Sequence, residues 1–254
     1  MARVCHFGTR LKWSRPAADS TGMKTPGPWL RRAIRLGLAI AAFVALASPA
    51  PRGAEPEPAS GLERLRAGNS RFVKGAAAPM PSGPAARQAP AAGQQPFAMV
   101  LSCADARVPP EFVFSAGLGD LFVVRAAGAV VDKSVTASLE YGVTHLHVPL
   151  LVVMGHEACD VVRDASSVEP REPAMDFLAT HIRAGLRHGS GDRAGVRGAV
   201  LATVEQAIND LMGSSVLRAA ATGGQLQVVG AYYELGTGQV VFSEPIGAPP
   251  TARH

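Results

Sequence analysis

Phe97-Ala98-Met99-Val100-Leu101-Ser102-Cys103-Ala104-Asp105-Ala106-Arg107 sets an uninterrupted apolar run directly against a cluster of chemically active side chains. The arrangement recurs in Leu150-Leu151-Val152-Val153-Met154-Gly155-His156-Glu157-Ala158-Cys159. Short apolar runs of this kind suit strands buried on both faces of a parallel sheet. In such sheets ligands collect beyond the carboxyl ends of the strands. The two clusters are therefore expected to meet, bringing two sulfurs, an imidazole and a carboxylate to one point.

Cys103, Cys159 and His156 make up a common three-ligand set for catalytic zinc, with a fourth position left for water or substrate. Two thiolates cancel the charge of Zn²⁺, so such a metal is a weaker Lewis acid than one held by three histidines. Asp105 is a further candidate ligand, or the acceptor of a hydrogen bond from a zinc-bound hydroxide. Arg107 projects to the same side as Asp105 if the segment stays extended. Its planar fork can then hold Asp105 in a bidentate pair and draw it off the metal. Buried cysteines are common in cores, and either one alone would say little; the whole constellation at two strand ends says more.

Outward from these runs, apolar strands alternate with helical stretches. Strands are expected at 97–102, 121–125, 149–154 and 225–232, with a terminal strand at 239–243, and helices at roughly 134–146, 173–187 and 200–221. This order predicts an α/β fold with a central, mostly parallel sheet flanked by helices. The Gly-rich turn Glu234-Leu235-Gly236-Thr237-Gly238 lets the last two strands pair as a hairpin, making an antiparallel edge strand. Ser60-Gly61-Leu62-Glu63 matches the S-x-x-E capping box and starts a helix running to Val73, the beginning of an N-terminal helical arm. Ala76 to Pro96 reads as an extended arm or loop. Ala165 to Gly198 is polar and Gly/Arg-rich near its end, the place for a mobile insertion. Its His181 and His188 read as solvent-facing helix residues. No internal repeat or second domain is visible.

The chain has 254 residues, 47% of them hydrophobic, enough for one domain with a substantial core. A formal charge of +5 and an isoelectric point near 9.5 would ordinarily suggest a nucleic-acid partner. Residues 1–47, however, hold eight Lys/Arg against Asp19 alone, and the remainder holds 17 basic and 19 acidic residues. The basic excess belongs to a leader, and a nucleic-acid partner is not expected. Arg31-Arg32 and Arg35 precede an apolar stretch, Leu36 to Ala47, too short to span a bilayer comfortably. The pattern reads as an export signal with Ala45-Leu46-Ala47 as cleavage site and Ala54 as a later option. Export to the periplasm follows, by a Sec or a twin-arginine route, with no stable membrane insertion after cleavage; an uncleaved anchor is the alternative. Residues 1–22 look unlike any part of a signal, and Met23-Lys24 makes a more ordinary start. The expected segments are the leader 1–47, a Pro- and Ala-rich linker 48–59, the folded domain 60–246 and a tail 247–254. Cys5 falls in the leader, so the mature chain keeps only Cys103 and Cys159. A disulfide between them and zinc ligation exclude each other, since zinc needs both thiolates.

Cys103-x-Asp105-x-Arg107 with His156-x-x-Cys159 resembles the β-class carbonic anhydrases. The resemblance takes in Gly68-Asn69-Ser70-Arg71-Phe72, Arg107-Val108-Pro109-Pro110-Glu111 and the stretch from Gly117 to Arg125. It continues through Ala127-Gly128, Ser138-Leu139-Glu140-Tyr141 and Gly230 to Gly238. The chain departs from the pattern at Ala129, where the family usually has Asn, at Asp160, where it usually has Gly, and at Ala106, where Ser is frequent. The resemblance implies that 60–246 is a catalytic domain performing reversible hydration of carbon dioxide to bicarbonate and a proton by zinc-bound hydroxide. It implies one Zn²⁺ per chain on Cys103, His156 and Cys159, with Asp105 either on the metal or paired with Arg107 as a gate, and Asp105 and Arg107 as the catalytic side chains. It also implies a homodimer or higher homo-oligomer, the N-terminal region lying across a second subunit. His145 and His147 are proton-shuttle candidates by position only. Two other readings use the same site: hydrolysis of carbon disulfide or carbonyl sulfide, and a catalytically silent zinc-binding protein with Asp105 permanently ligated. Retention of Arg107 argues against the second, since a structural four-ligand site needs no displacing partner.

Overall fold

A computed structural model describes residues 60–77, 83–165, 173–188 and 195–246. The leader, the linker and the tail lie outside the described residues, and their reading stays an expectation. Among the described residues the five strands are β1 Ala98–Cys103, β2 Leu121–Ala126, β3 Leu150–His156, β4 Gln227–Tyr233 and β5 Val240–Phe242. They form one sheet in the order β2-β1-β3-β4-β5. The first four run parallel and β5 returns antiparallel to β4, as the Gly-rich turn predicts. Within it, the Glu234 carbonyl accepts from Gly238 N at 2.8 Å.

The order places the site. From β1 the chain crosses to β2 on one side and then back to β3 on the other. The crevice between the carboxyl ends of β1 and β3 is thus the topological switch point, where such sheets bind ligands. Register keeps these ends level, with Leu101 opposite Val153 and Ser102 opposite Met154. Every residue of β1 and of β3 is buried. Their side chains alternate into two apolar layers, one around Ala98, Val100, Val152 and Val229, the other around Met99, Leu101, Leu151, Val153 and Val228.

The helices are α1 Gly61–Val73, α2 Pro84–Gln88, α3 Pro110–Val113, α4 Lys133–Thr144, α5 Asp160–Ala165, α6 Pro173–His188, α7 Gly195–Met212 and α8 Ser215–Thr222. The capping box forms as expected: Ser60 Oγ accepts from Glu63 N at 3.2 Å, and Glu63 Oε2 accepts from Ser60 N at 3.0 Å. Buried Asn69 ties α1 to the far end of the chain, donating to the Gly238 carbonyl at 2.8 Å and accepting from Val240 N at 3.0 Å. At Gly155 a Cβ would lie 2.5 Å from Val200 Cγ1 and 2.8 Å from Val204 Cγ2, so only glycine lets α7 pack this closely on the end of β3.

Two expectations are corrected. The segment 76–96 is not wholly extended, since Pro84–Gln88 is helical and Ala89–Ala92 forms a 3₁₀ turn. The single helix at 200–221 is two helices, the first starting earlier, at Gly195. The break falls at Gly213, after which Ser214 caps α8 by accepting from Leu217 N and donates to Glu140 Oε1 at 2.6 Å. The helix expected at 173–187 forms as α6, with Ala179 and Ile182 buried; the flanks of the stretch read as a mobile insertion, 166–172 and 189–194, lie outside the described residues.

Backbone conformation yields a stability prediction. Exposed His147 sits at φ 54° between α4 and β3, in the left-handed region that costs side-chain-bearing residues ~1–2 kcal/mol. His147→Gly is expected to stabilise the domain by about 0.5–1 kcal/mol, the relieved strain outweighing the extra chain entropy of glycine. Urea unfolding checks it, and a midpoint at or below the parent's would refute it.

Candidate metal centre

Cys103 ends β1 and His156 ends β3, on adjacent strands at the switch point. Cys159 follows one tight turn later, directly before α5. The ligand atoms of Cys103, His156 and Cys159 lie within 4.8 Å of one another and all three residues are buried, the one such group among the described residues. His156 Nδ1 donates to the Glu157 carbonyl at 2.8 Å. That fixes the tautomer and leaves Nε2 with a free lone pair. Nε2 is buried with no hydrogen-bond partner among the described residues, an arrangement that costs ~1–3 kcal/mol if nothing fills it. Beside it a cavity of about 10 Å³ is lined by Cys103, His156, Cys159, Gly128 and Thr203 among others. A pocket of that volume holds one small centre, and a sulfur–sulfur–imidazole donor set suits tetrahedral zinc. The residues fit the metal.

The supports around the ligands come from three segments. Gly128 N donates to Cys103 Sγ at 3.3 Å, from a left-handed residue at φ 65°. Arg125, on β2, donates through Nε to the Cys103 carbonyl at 3.0 Å and through a terminal nitrogen to the Asp105 carbonyl at 2.5 Å. It pins the segment that carries both side chains. The thiols are strongly interdependent. The hydrogen bond from Cys159 holds the Cys103 thiol below its ordinary value, while the proximity of Cys103 pushes Cys159 up. A cation in this pocket favours both thiolates together.

Asp105 and Arg107 pair, but not along an extended strand. The chain turns after Ala104, and Asp105 Oδ1 accepts from both the Arg107 backbone N and Nε at 2.9 Å. Oδ2 accepts from Arg107 NH2 at 2.6 Å, and the same nitrogen donates to the Ala158 carbonyl at 3.1 Å. Ala158 is itself left-handed at φ 49°, the conformation that turns its carbonyl to Arg107 and swings Cys159 back to the ligand group. The Arg107 hydrogen bonds hold the Asp105 carboxyl at about 2, against an ordinary 3.8. Asp105 Oδ2 is 3.9 Å from His156 Nε2. It therefore stands beside the three-ligand group while bonded to the arginine.

The structure thus brings together all four expected ligands and Arg107. Arg125, Gly128 and Ala158 are functional supports to which sequence reasoning gave no role. Arg125 and Gly128 lie in quoted motifs, whereas nothing in an alanine announces a left-handed turn. Two further histidines among the described residues are engaged elsewhere. Exposed His145 stacks on Tyr141 with ring centroids 4.7 Å apart. His181, on α6, is half-buried, with Nδ1 donating to the Phe177 carbonyl at 2.9 Å. The side chain of His188 lies outside the described residues.

The chain matches the family model described as "Carbonic anhydrase" over residues 98–240. It is similar to carbonic anhydrase 2 of Mycobacterium tuberculosis, 37% identical over 201 residues, covering 75% of this chain and 95% of that protein. A carbonic anhydrase of Mycolicibacterium smegmatis is 34% identical over 197 residues, with the same coverages of 75% and 95%. Among solved structures, a Coccomyxa β-carbonic anhydrase in complex with acetazolamide superposes with a TM-score of 0.57 at 27% identity, covering 74% of this chain and 88% of that one. A β-carbonic anhydrase of Aspergillus fumigatus gives 0.55 at 29% identity, covering 63% and 81%. With the sheet order, the buried sulfur–sulfur–imidazole group and these relatives all in agreement, the chain belongs to the β-carbonic anhydrase family of zinc enzymes, which hydrate carbon dioxide reversibly to bicarbonate and a proton.

Proposed function

We propose that Cys103, His156 and Cys159 hold one zinc and that Asp105 and Arg107 gate its fourth position. When bound, zinc supplies the Lewis acid that lowers the pKa of a water towards about 7. The chain's own residues do the rest. Asp105 is ionised throughout the working range and offers an oxygen that accepts the hydrogen of the attacking group, aiming its lone pair at the carbon of CO₂. Arg107 keeps that carboxylate ionised and away from the ligand position. Gly128 N and Arg125 hold Cys103 and Asp105 in place, so that little reorganisation accompanies reaction. One observation carries this reading: Asp105 lies 3.9 Å from the unpartnered His156 nitrogen yet makes its hydrogen bonds to Arg107. A permanently ligated, catalytically silent site would not dress its fourth ligand in this way. The relatives' activity favours carbon dioxide over carbon disulfide or carbonyl sulfide.

Two further features belong to this reading. The protein works as a homodimer or larger homo-oligomer through β2. Among the described residues that strand is an open sheet edge, whose apolar residues Leu121, Phe122, Val123 and Val124 are each only half-buried, and Leu118 just before it is 57% exposed. Unpaired apolar edges of this kind are normally covered. The leader also directs export, placing the mature enzyme in the periplasm.

Protein starting near residue 48 tests the whole. It is expected to carry one zinc per chain, to lose CO₂ hydration on chelation, to regain it with added zinc, and to scatter light as two or more chains. Stoichiometric zinc without turnover at any pH would mark a silent zinc protein. Faster release of sulfide from carbonyl sulfide than hydration of CO₂ would mark the other hydrolase.

A further inference from the structure

Asp160 opens α5 directly after the ligand Cys159, and its two carboxylate oxygens face two different arginines. Oδ1 pairs with Arg163 at 2.7 Å, one helical turn on, while Oδ2 lies 3.9 Å from Arg107 NH2. The charged and titratable groups around Arg107 are Asp105 on its own segment, Cys159 at the turn and Asp160 on α5, with Arg163 and Asp164 beyond. Arg107 NH2 is thus a shared point: Asp105 at 2.6 Å, the Ala158 carbonyl at 3.1 Å and Asp160 at 3.9 Å.

We infer that Asp160 is a positioning residue, a second acceptor that takes up Arg107 when Asp105 leaves it, and so weights the gate towards its closed state. The inference rests on the gate proposed above. While Asp105 and Arg107 are paired, their charges nearly cancel and Asp160 gains little from either. When Asp105 moves to the metal position, the guanidinium loses three hydrogen bonds and its neutralising charge. Among the described residues the nearest other carboxylate is then Asp160, already presented to it by Arg163. A partner that interacts more strongly with one state shifts the equilibrium by that difference alone. Asp160 is 57% exposed, so solvent screens the effect and keeps it to a few-fold. A glycine at this position would leave Arg107 no substitute partner, and closing would cost more.

The test uses the full holo-chain with Co²⁺ in place of zinc, whose visible spectrum reports the fourth ligand. Asp105→Asn supplies the open reference and Arg107→Ala the closed one. Across a pH series that carries the parent between them, Asp160→Asn is expected to raise the open-to-closed ratio about two- to fivefold at low salt. The difference should shrink towards none near 1 M salt. Asp160→Glu should restore the parent's ratio, and Asp164→Asn should leave it unchanged. A ratio in Asp160→Asn equal to or below the parent's overturns the inference, as does an equal response from Asp164→Asn, which would signify a general field and not a shared arginine. If the two reference spectra coincide, the gate itself fails, and that outcome is distinguishable from failure of Asp160 alone.

Discussion

Arg107→Ala is expected to cut CO₂ hydration by about 10²–10³-fold, the scale of losing a preorganised charge-stabilising group, while zinc stays near one per chain. The substitution removes three side-chain hydrogen bonds from Asp105 and lets its carboxyl rise from about 2 towards the ordinary 3.8. At neutral pH the group remains ionised, so protonation is not what disables it. A freed carboxylate 3.9 Å from the ligand nitrogen of His156 has an obvious alternative partner in the cation. With Arg107 gone, nothing competes for it. The fourth position then fills from the protein, and water and substrate are excluded. Stopped-flow hydration with metal analysis on the same sample decides the matter. Turnover within about tenfold of the parent would refute the gate, because no smaller loss fits a position occupied most of the time. The sign on stability follows from the same pair. A depressed carboxyl stabilises the fold above pH 3.8 and ceases to as pH falls through about 2, so the variant should lose stability at neutral pH and differ least from the parent in strong acid.

Much of this was legible because apolar runs and chemistry adjoin. Residues 98–103 and 150–156 are buried along their whole length, which is why each reads as one unbroken hydrophobic word ending in a ligand. The capping box at Ser60 and the turn before Gly238 are local devices, and local devices are written locally. What did not read through was long-range or conformational. The α7–α8 break depends on Ser214 reaching Glu140, 74 positions away. Strand order, which makes β1 and β3 neighbours, is set by how crossovers pack and not by any motif. The Asp105–Arg107 pair was anticipated from an extended segment, yet it forms through a turn in which the carboxylate accepts from the backbone N of Arg107 itself. Ala158 is the sharpest case. Its left-handed backbone aims both the carbonyl that Arg107 uses and the sulfur of Cys159, and an alanine carries no sign of either task.

Cys159→Ser is expected to have the largest effect on metal. Outer partners of metal ligands alone cost 10–100-fold in affinity when removed, so loss of a thiolate ligand should exceed about 100-fold, leaving zinc well below stoichiometric and hydration near background. The buried, nearly isosteric hydroxyl should keep the sheet intact, because β1 and β3 are joined by their strand register and by two apolar layers. An unchanged far-ultraviolet circular dichroism spectrum guards against simple misfolding. Asp105→Asn provides the contrast: Cys103, His156 and Cys159 all remain, so zinc should stay bound while hydration falls. The two variants together separate holding the metal from using it. Full zinc in Cys159→Ser would mean that Asp105 had taken the vacated place as a permanent third ligand. The gate would then be a ligand in reserve, and Arg107 the group that keeps it from service. Loss of zinc in both variants would instead make Asp105 a structural ligand whose pairing with Arg107 has no part in turnover.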